Sequence, residues 1–535
     1  MIRLVKGPAR LLESINSISS KIRPILQLFQ FAFRRPAVKT LIVNPPTCTG
    51  MKYIREGRCE QRLNSFQYVM VPISLPMIAG ALEAKKHDVK VLDCIANDID
   101  VEGLKKAIQA FDPAFVLFNM STATSSSDIE VINMMRPLTK AHLTVIGNHA
   151  TSLPEEVLQA SGLDSVIRRE PELTAQDLVD ALEKGRGLGT VLGISFKDKD
   201  ETVVHNDDRP FNENLDDLPF AARHLLDNAR YTLPVINEPY TLIITSRGCP
   251  YSCIYCTAYQ YYGKKLRLRS AENVVDEMQE CLEKHQIRNF TMWSDTFNQN
   301  KKFVMEVCAE IKKRGMETKI RWMANSRVDH VDAEVLKEMR SSGCIGVSYG
   351  VESGVEDILK NMKKGATAEQ ARVAVKLTKE AGIEVLTHII FGLPGDTPET
   401  INQTIRYVKE LDPDYAQFYC AIPFPKTELE AMGKKNGWIT TEDYAKYELN
   451  QPILNLPTLS MEQLQEARSR AYREFYLRPS YIFKRLKKIK SFKDLVTNYR
   501  QAKDFISSWI SQSSTEKTPV SANSGVPTAQ ASPTH

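Results

Sequence analysis

Two long stretches of the chain alternate short apolar runs with amphipathic ones, and the first extends from about residue 39 to residue 184. Its apolar runs are rich in Val, Ile, Leu and Phe, which is typical of strands buried on both faces of a sheet. The predicted strands are Thr40–Asn44, Val89–Asp93, Ala114–Phe118, Leu143–Gly147 and Ser165–Arg168. Helical patterns lie between them, as at Leu75–Lys86 and Glu102–Ala110. These units predict an α/β, doubly wound (Rossmann-like) open sheet.

Ligands of such sheets bind beyond the carboxyl ends of the strands. In this chain, that edge comprises the loops after Asn44, Asn119 and Gly147. We therefore expect a first binding region there.

A second alternation begins near Tyr240. Its predicted strands are Tyr240–Thr245, Asn289–Trp293, Lys319–Met323, Ile345–Tyr349, Val385–Phe391 and Tyr415–Ala421. The helices between them have clear boundaries: Thr367 and Gln370 form a capping box, and Gly315, Gly343 and Gly382 stand where helices should end. Six units of this kind predict a partial or closed βα barrel, with its functional loops at the carboxyl ends of the strands.

The remaining segments differ in composition. Residues 186–238 contain many Gly, Asp and Asn, and we interpret them as a short β-rich connector and linker. The chain beyond Gly433 becomes helical and basic, and its last residues are rich in Ser, Thr, Pro and Ala. We divide the chain into an amphipathic N-terminal segment (1–36), a doubly wound domain (37–185), a linker (186–238), the barrel (239–430), a helical basic C-terminal region (431–511) and a disordered tail (512–535).

Composition and charge narrow the class of protein. The chain has 535 residues, of which 42% are hydrophobic and 25% charged, as in a soluble globular protein of several domains. A net charge of +5 is too small to indicate nucleic acid as a partner. No run of 18 apolar residues predicts a membrane-spanning helix. Ten cysteines do not make a disulfide scaffold, so we expect a reducing, cytoplasmic location.

Both ends of the chain carry basic residues beside apolar ones. The N-terminal segment has seven Lys and Arg residues around the apolar stretch Ile25–Phe33, and Lys484–Lys490 is a basic run near the C-terminus. These features allow two interpretations: peripheral contact with a membrane surface, or ordinary packed and solvated helices.

Three cysteines follow the first strand of the second alternation, at Cys249, Cys253 and Cys256. Three thiolates on one loop can hold a [4Fe–4S] cluster and leave one iron open for another ligand. The alternative is a zinc site, but zinc usually takes a fourth ligand, and no second cysteine pair follows at a familiar spacing.

This Cys-x3-Cys-x2-Cys spacing on the first loop of a six-unit barrel resembles the radical S-adenosylmethionine (SAM) superfamily. Segments similar to the superfamily's motifs follow the later strands in order: Trp293–Phe297, Asn325–Asp329, Gly350–Gly354, Gly392–Thr397 and Ile422–Leu429. In the last of them, Lys426 stands where the superfamily has glycine. The resemblance implies that the open iron binds SAM, and that these side chains or backbone positions contact it: Tyr255, Asp295, Arg327, Glu352 and Gly392.

A doubly wound domain before such a barrel is similar to the cobalamin-binding members of the superfamily. The resemblance implies a corrin at the sheet edge, with these residues as candidates: Asn44, Pro45, Ser121, Gly147 and His149. The chain lacks the Asp-x-His-x-x-Gly loop that supplies a lower histidine ligand to cobalt. His149 is therefore not proposed as a cobalt ligand; it either lines the corrin pocket or satisfies a loop hydrogen bond.

Three functions remain open. The first is a cobalamin-dependent methyltransferase acting on an unactivated carbon of a small-molecule, tetrapyrrole or lipid substrate, with flavodoxin or ferredoxin as reductant. The second follows from a further resemblance, to the anaerobic magnesium-protoporphyrin monomethyl ester cyclase, and is oxidation or ring closure with the same cofactors. The third is a non-catalytic corrinoid-binding protein. No general acid or base is identifiable from the sequence.

Overall fold

The computed structural model describes residues 37–57, 61–63, 69–233, 237–487 and 489. The predicted N-terminal amphipathic segment and the predicted disordered tail lie outside these residues, as does the end of the predicted basic region.

Within the described residues, the first sheet has seven strands: β1 (Lys39–Asn44), β2 (Asp88–Asp93), β3 (Phe115–Asn119), β4 (His142–Ile146), β5 (Ser165–Ile167), β6 (Ile194–Lys197) and β7 (Val203–His205). Their order is β2-β1-β3-β4-β5-β6-β7, and the first five are parallel. From β1 the chain first adds β2 on one side and then β3 on the other, so the strand order reverses between β1 and β3. Doubly wound sheets bind ligands at this point.

Helices cover both faces of this sheet, as the sequence predicts. They are α1 (Ser74–Ala84), α2 (Val101–Phe111), α3 (Ser125–Met135), α4 (Asn148–Ser152), α5 (Pro154–Ala160) and α6 (Pro171–Lys184). Alternate residues of β1 enter different cores: Leu41 and Val43 pack with residues of α2 and α3, whereas Ile42 packs with residues of α1 and α6. Because both faces are buried, the strands need apolar residues at every position.

The second sheet consists, in the described chain, of six parallel strands in sequential order: β8 (Tyr240–Ile244), β9 (Asn289–Trp293), β10 (Arg321–Ser326), β11 (Cys344–Glu352), β12 (Glu384–Phe391) and β13 (Tyr415–Cys420). No pairing joins β13 to β8 among these residues, so the barrel is partial. Its helices are α7 (Ala258–Tyr262), α8 (Ala271–His285), α9 (Lys301–Lys313), α10 (Ala333–Ser341), α11 (Glu356–Asn361), α12 (Ala368–Glu380) and α13 (Pro398–Leu411).

Two boundaries differ from the prediction because polar residues take part in strands. The third barrel strand was predicted over Lys319–Met323 but runs through Ser326, and the fourth extends past Tyr349 to Glu352. Asn325, Ser348 and Gly350 on these strands line a cavity inside the barrel. Polar residues are therefore compatible with a strand there, although their composition resembles that of a loop.

The segment between the two sheets contains strands, as expected of a β-rich connector. Strands β6 and β7 lie within it and extend the first sheet as an antiparallel edge. Farther on, the buried guanidinium of Arg223 donates to Glu277 Oε1 (2.6 Å), to Thr241 Oγ1 (3.0 Å) and to the Leu242 carbonyl (2.8 Å). This arginine fixes the end of the linker to the barrel.

The C-terminal region is not helical throughout. Its described helices are α14 (Glu428–Asn436), α15 (Met461–Tyr476) and α16 (Pro479–Lys487), and the irregular stretch between α14 and α15 packs on the barrel core. Helix α15 covers the open edge of β13. There the Tyr476 hydroxyl bonds both backbone groups of Ala416, and Arg468 donates to the Phe418 carbonyl. These side chains satisfy backbone groups that another strand would otherwise pair.

Buried ion pairs join the two sheets' domains. Arg267 Nη2 lies 2.6 Å from Glu170 Oε1, and Arg247 Nη1 donates to Glu172 Oε2 at 3.1 Å. The carboxylates sit at the start of α6 and the arginines on a short hairpin after β8, so the domains are fixed with their strand ends facing a common space. Among the described residues, no helix is both long enough and apolar enough to cross a membrane.

Candidate active site

The cysteine-bearing loop begins at a turn that requires glycine. Ser246–Arg247 pairs with Arg267–Leu268 and closes the base of the loop. Gly248 then has φ of +89°, and a Cβ added to it would lie 2.1 Å from the carbonyl oxygen of Lys265. The positive φ and the short distance to the carbonyl oxygen both exclude a side chain at this position. Glycine therefore allows the chain to turn directly from the hairpin into the first cysteine.

Cys249, Cys253 and Cys256 are buried together, each no more than 9% exposed, on the wall of a large cavity. The Ala258 amide donates to the Sγ of Cys256 (3.4 Å). Hydrogen bonds to cysteine sulfur are among the features that set the reduction potential of iron–sulfur clusters.

The number of thiols bears on whether this loop holds a cluster or a zinc ion. A structural zinc ion usually takes four protein ligands, whereas three thiolates that each bind a different iron can hold a [4Fe–4S] cluster. Three buried thiols on one loop therefore fit a cluster with one open iron. Burial raises the pKa of Cys253, while nearby Lys364 and Arg327 lower it and favour the thiolate.

Glu352 joins the end of β11 to the cysteine loop. Its Oε1 accepts from the ammonium of Lys364 (2.7 Å) and from the hydroxyl of Tyr255 (3.1 Å). Gly350 makes room for this arrangement, because a Cβ there would lie 2.8 Å from Lys364 Nζ. The sequence-based interpretation assigned no role to Lys364, since its position is twelve residues beyond Glu352 and only the fold brings them together.

Arg327 is held rigidly at the end of β10. Its Nε and Nη2 donate to the two carboxylate oxygens of Asp329 (both 2.8 Å), and Nη2 also donates to the Lys364 carbonyl (2.7 Å). The guanidinium lies 3.4 Å from the ring centroid of Tyr251 in the cysteine loop. The arginine is therefore oriented at the cavity wall, and part of its hydrogen-bonding capacity is already used.

Asp295 lines the same cavity beyond β9, beside hydroxyl groups for which the sequence suggested no role. Ser294 Oγ, Thr296 Oγ1 and Ser326 Oγ are buried on the cavity wall, and none has a hydrogen-bond partner within the part of the chain that the structure describes. Buried hydroxyls rarely remain unsatisfied in native proteins. A polar ligand such as SAM fits this wall, since it would supply the missing partners.

Gly392 was predicted to contact SAM, but it does not line the cavity. Its N–H donates to Asp396 Oδ2 (2.9 Å), and a Cβ there would lie 2.7 Å from a methyl group of Leu464 on α15. Glycine at this position therefore allows the C-terminal helix to pack against the turn after β12. Lys426, which stands where the superfamily has glycine, has φ of +63°. Glycine adopts this backbone conformation at lower cost.

Of the five predicted corrin contacts, Gly147 lines the cavity, whereas Asn44, Pro45, Ser121 and His149 are not on its wall. Arg55, for which no role was predicted, explains part of this. Its guanidinium bonds the Asn44 side chain, the Pro45 carbonyl and Thr124, and forms a fully buried ion pair with Asp128 (2.7 Å). These strand-end groups thus face the arginine. Ser121 Oγ is likewise engaged, by Thr124 Oγ1 at 3.0 Å.

His149 is enclosed by protein. Its ring meets that of Tyr444 edge-on at 4.7 Å, and burial lowers its pKa to about 4. Among the described residues that line the cavity, the only histidine is His388, on the barrel strand β12. Within the described part of the doubly wound domain, no imidazole lines the cavity.

The cavity lies where the carboxyl ends of the two sheets face each other, and its volume is about 1130 Å³. The first domain contributes Glu56, Gly57, Met120, Gly147 and Asn148 to the wall, and the barrel contributes the cysteines. Pockets for one small molecule usually measure about 300–1,000 Å³. The space thus exceeds the usual size of a pocket for one small molecule, and a corrin at the first sheet would face a cluster at the second.

Glu56 is the most strongly perturbed carboxyl on this wall. Burial raises its pKa to about 7, although Ser74 opposes this by donating its hydroxyl (2.8 Å) and its backbone N–H (3.2 Å). The adjacent Gly57 packs against Trp293 of the barrel, and its carbonyl accepts from the Asn148 side chain (2.9 Å). Glu56 is therefore presented at the contact between the domains.

Comparison with known proteins agrees with both halves of this site. Residues 243–408 match the model of the radical SAM superfamily, and residues 62–179 match that of the B12-binding domain. The chain is 33% identical over 449 residues to an uncharacterised methyltransferase of Pyrococcus horikoshii, which covers 84% of this chain and 94% of the relative. It is 31% identical over 478 residues to the bacteriochlorophyllide d C-12(1)-methyltransferase of Chlorobaculum tepidum, covering 88% and 94%.

The fold also resembles a solved structure. The radical S-adenosylmethionine methyltransferase TsrM from Kitasatospora setae, with cobalamin and a [4Fe–4S] cluster bound, superimposes with a TM-score of 0.62 over 76% of each chain. The two sequences are 20% identical in this comparison, so it bears on the fold alone.

Proposed function

The chain belongs to the cobalamin-binding radical SAM family, and from this premise we propose that it transfers a methyl group to an unactivated carbon of a tetrapyrrole, lipid or other small-molecule substrate. A radical SAM domain implies a [4Fe–4S] cluster and SAM, and a B12-binding domain implies cobalamin. The observation that carries the proposal is the single cavity onto which the cysteine loop and the edge of the first sheet both open.

The residues on the cavity wall divide into three groups by the ligand that each would hold. Cys249, Cys253 and Cys256 would hold the cluster. SAM would lie between the cluster and the ends of β9 and β10, within reach of Asp295 and of the hydroxyls of Ser294, Thr296 and Ser326. Cobalamin would lie against Gly57, Met120, Gly147 and Asn148.

When bound, the cluster and SAM supply hydrogen-atom abstraction, and cobalamin supplies the methyl group. The protein's contribution is to hold these groups in a fixed relation and to keep water away. The Glu352–Lys364 pair and the Arg327–Asp329 pair fix the walls beside the cysteines, since both pairs are nearly buried. The rest of the wall is largely apolar and aromatic, so it excludes water from a reactive site.

The substrate class rests on the cavity and on the relatives. One relative is named for a methyl transfer to a bacteriochlorophyllide, which is a tetrapyrrole. A large apolar cavity suits such a substrate as well as a lipid. An electron must also reach the cluster, and we propose a small reductant such as flavodoxin or ferredoxin as its donor.

The test is a labelled-methyl assay on the anaerobically reconstituted full chain, with SAM that carries a deuterated methyl group. Tetrapyrroles and isoprenoid lipids serve as candidate acceptors, and Cys253→Ser is the inactive control. We expect bound corrin, 5′-deoxyadenosine, S-adenosylhomocysteine and a product in which one hydrogen is replaced by a CD₃ group. Hydrogen loss or oxygen gain without label would instead indicate an oxidase or cyclase. Bound corrin without any cleavage of SAM would indicate a non-catalytic corrinoid-binding protein.

A further inference from the structure

The cavity opens to the outside beside α16, and its rim there is apolar. Leu477, Ile482 and Leu486 line the cavity and are at the same time 50%, 44% and 56% exposed. We call these three residues the mouth. Phe483, beside them, is 60% exposed. Large apolar side chains that are exposed at the entrance of a pocket usually mark a surface that contacts something apolar.

The helix that forms the mouth is basic as well as apolar. Between Pro479 and Lys487 there is no acidic residue, and Lys484, Arg485 and Lys487 are all present. Lys484 is engaged by Asp412 and Asp414, but the ammonium of Lys487 is exposed and lies 4.3 Å from the Phe483 ring centroid. Apolar and basic side chains on one outer surface are characteristic of helices that lie in the interface of anionic membranes.

The helix is nevertheless fixed to the barrel. Its buried Tyr481 donates to the carbonyl of Asp414 (3.1 Å), and Arg485 Nη1 donates to the Tyr415 hydroxyl (3.0 Å). The exposed apolar residues are therefore held at the surface by the other face of the same helix. An unanchored segment would tend to bury them instead.

The wall that leads inward from the mouth is mostly apolar or aromatic, and its uncharged polar members are Gln417 and His388. It is formed by side chains of β12, β13 and α15, among them Leu386, Ile390, Tyr419 and Tyr476. Among the described lining residues of these strands and of α15 and α16, the only charged one is Arg485, at the mouth. An amphiphile could thus enter with its apolar part first while its polar group stays beside the arginine.

We propose that the mouth docks on the surface of an anionic phospholipid bilayer and receives an apolar or amphiphilic substrate directly from it. The delivery of a substrate rests on the proposed function, whereas binding to the bilayer does not require the protein to catalyse a reaction. Docking on a bilayer selects, among the substrate classes above, those that partition into membranes. Charge complementarity favours an anionic bilayer over an apolar protein partner, because the exposed ammonium of Lys487 and the guanidinium of Arg485 lie beside the apolar side chains.

Docking is tested with the full reconstituted chain and vesicles of phosphatidylcholine, with or without phosphatidylglycerol. We expect salt-sensitive cosedimentation with the anionic vesicles. The variant F483S/L486S should bind them roughly tenfold more weakly, because two large apolar side chains no longer leave water. Val373→Ser is the matched control, since Val373 is equally an exposed apolar side chain (44%) but lies on α12, and it should bind like the wild type.

Insertion is read separately from Phe483→Trp fluorescence, corrected for the native tryptophans. The emission should shift to the blue and be quenched by lipids with brominated chains, whereas Val373→Trp should show neither effect. Binding that F483S/L486S leaves unchanged would overturn the assignment to α16, and equal binding to neutral vesicles would overturn the role of charge. If the variant instead dissociates a dimer in sedimentation velocity, the surface is a contact between copies and the proposal fails.

The two proposals can fail independently. Vesicle binding without labelled product would leave the docking surface standing and reject the methyl transfer. Labelled product from a detergent-dispersed substrate, with no vesicle binding, would reject the docking surface alone.

Discussion

At the scale of single residues, Glu56 is a carboxyl on the cavity wall whose protonation the fold alters. It is fully buried, and its pKa is about 7 compared with an ordinary 4.5. The folded protein therefore binds this proton more tightly than the unfolded chain does, and stability falls as the pH rises from about 4.5 to about 7. The full difference corresponds to about 3 kcal/mol.

We expect Glu56→Gln to remove this part of the pH dependence. The glutamine has no charge to bury, so the variant should be more stable than the wild type above pH 7, by an amount on the order of 3 kcal/mol, and should differ little near pH 4.5. Urea unfolding of the metal-free chain at several pH values measures this. Glu466→Gln, an exposed site in the middle of α15, is the control and should leave the wild-type pH profile unchanged. A parallel profile for Glu56→Gln would contradict the prediction.

The residues of the candidate site differ in how far the sequence could identify them. The three cysteines depend on local spacing, which a sequence displays directly. Arg55 does not: its ion-pair partner Asp128 is 73 positions away, and no local pattern links them. It occupies the strand-end polar groups to which the sequence assigned a corrin. The hydroxyls of Ser294 and Ser326 were not predicted as ligand contacts, because only the folded structure shows that both lie on the wall of one cavity.

At the scale of elements, the same contrast holds. The doubly wound order and the six barrel units follow from apolar periodicity, which depends on each strand's own burial. The ends of β10 and β11 were predicted too early in the chain. Asn325 and Gly350 lie on these ends, and they differ from buried strand residues because they line the cavity. The way α15 covers the edge of β13 was also not predictable, since it depends on tyrosines far along the chain.

Removing the Tyr476 hydroxyl tests how that edge is protected. The hydroxyl accepts from the Ala416 N–H (3.1 Å) and donates to the Ala416 carbonyl (2.8 Å). Tyr476→Phe leaves two buried backbone groups without these bonds, so we expect a loss of about 1–3 kcal/mol in the free energy of unfolding. The Ala416 amide should also exchange its hydrogen faster.

Tyr472→Phe supplies a graded comparison on the same helix. Its hydroxyl bonds the backbone of Phe418, but the Phe418 carbonyl also accepts from Arg468 Nε (2.9 Å). One of the two backbone groups keeps a partner, so Tyr472→Phe should cost less than Tyr476→Phe. Equal losses for the two variants would show that ring packing, and not the cover of backbone groups, determines the effect.

At the scale of the whole molecule, the site exists only because two domains hold their strand ends toward one cavity. The cysteine loop follows β8, and the hairpin at its base carries Arg247, whose partner Glu172 belongs to the other domain. Both side chains are only 3% exposed. The same contact thus fixes the base of the cysteine loop and the orientation of the first sheet.

Replacing only one member of the Arg247–Glu172 pair should therefore lower the free energy of unfolding more than replacing both members. Glu172→Met leaves a buried guanidinium with less compensation, and we expect a loss of about 3–5 kcal/mol, whereas the double variant Glu172→Met/Arg247→Met should recover much of it. Chemical unfolding of the four proteins of this cycle measures the coupling. The exposed pair Lys265–Glu213 also joins the hairpin to the segment before the barrel, and Glu213→Gln should change stability by less than about 1 kcal/mol. If Glu172→Met were as mild as Glu213→Gln, the domains would be held mainly by apolar contacts such as that of Gly57 with Trp293, and the relation between the two sheets would not depend on the buried charges.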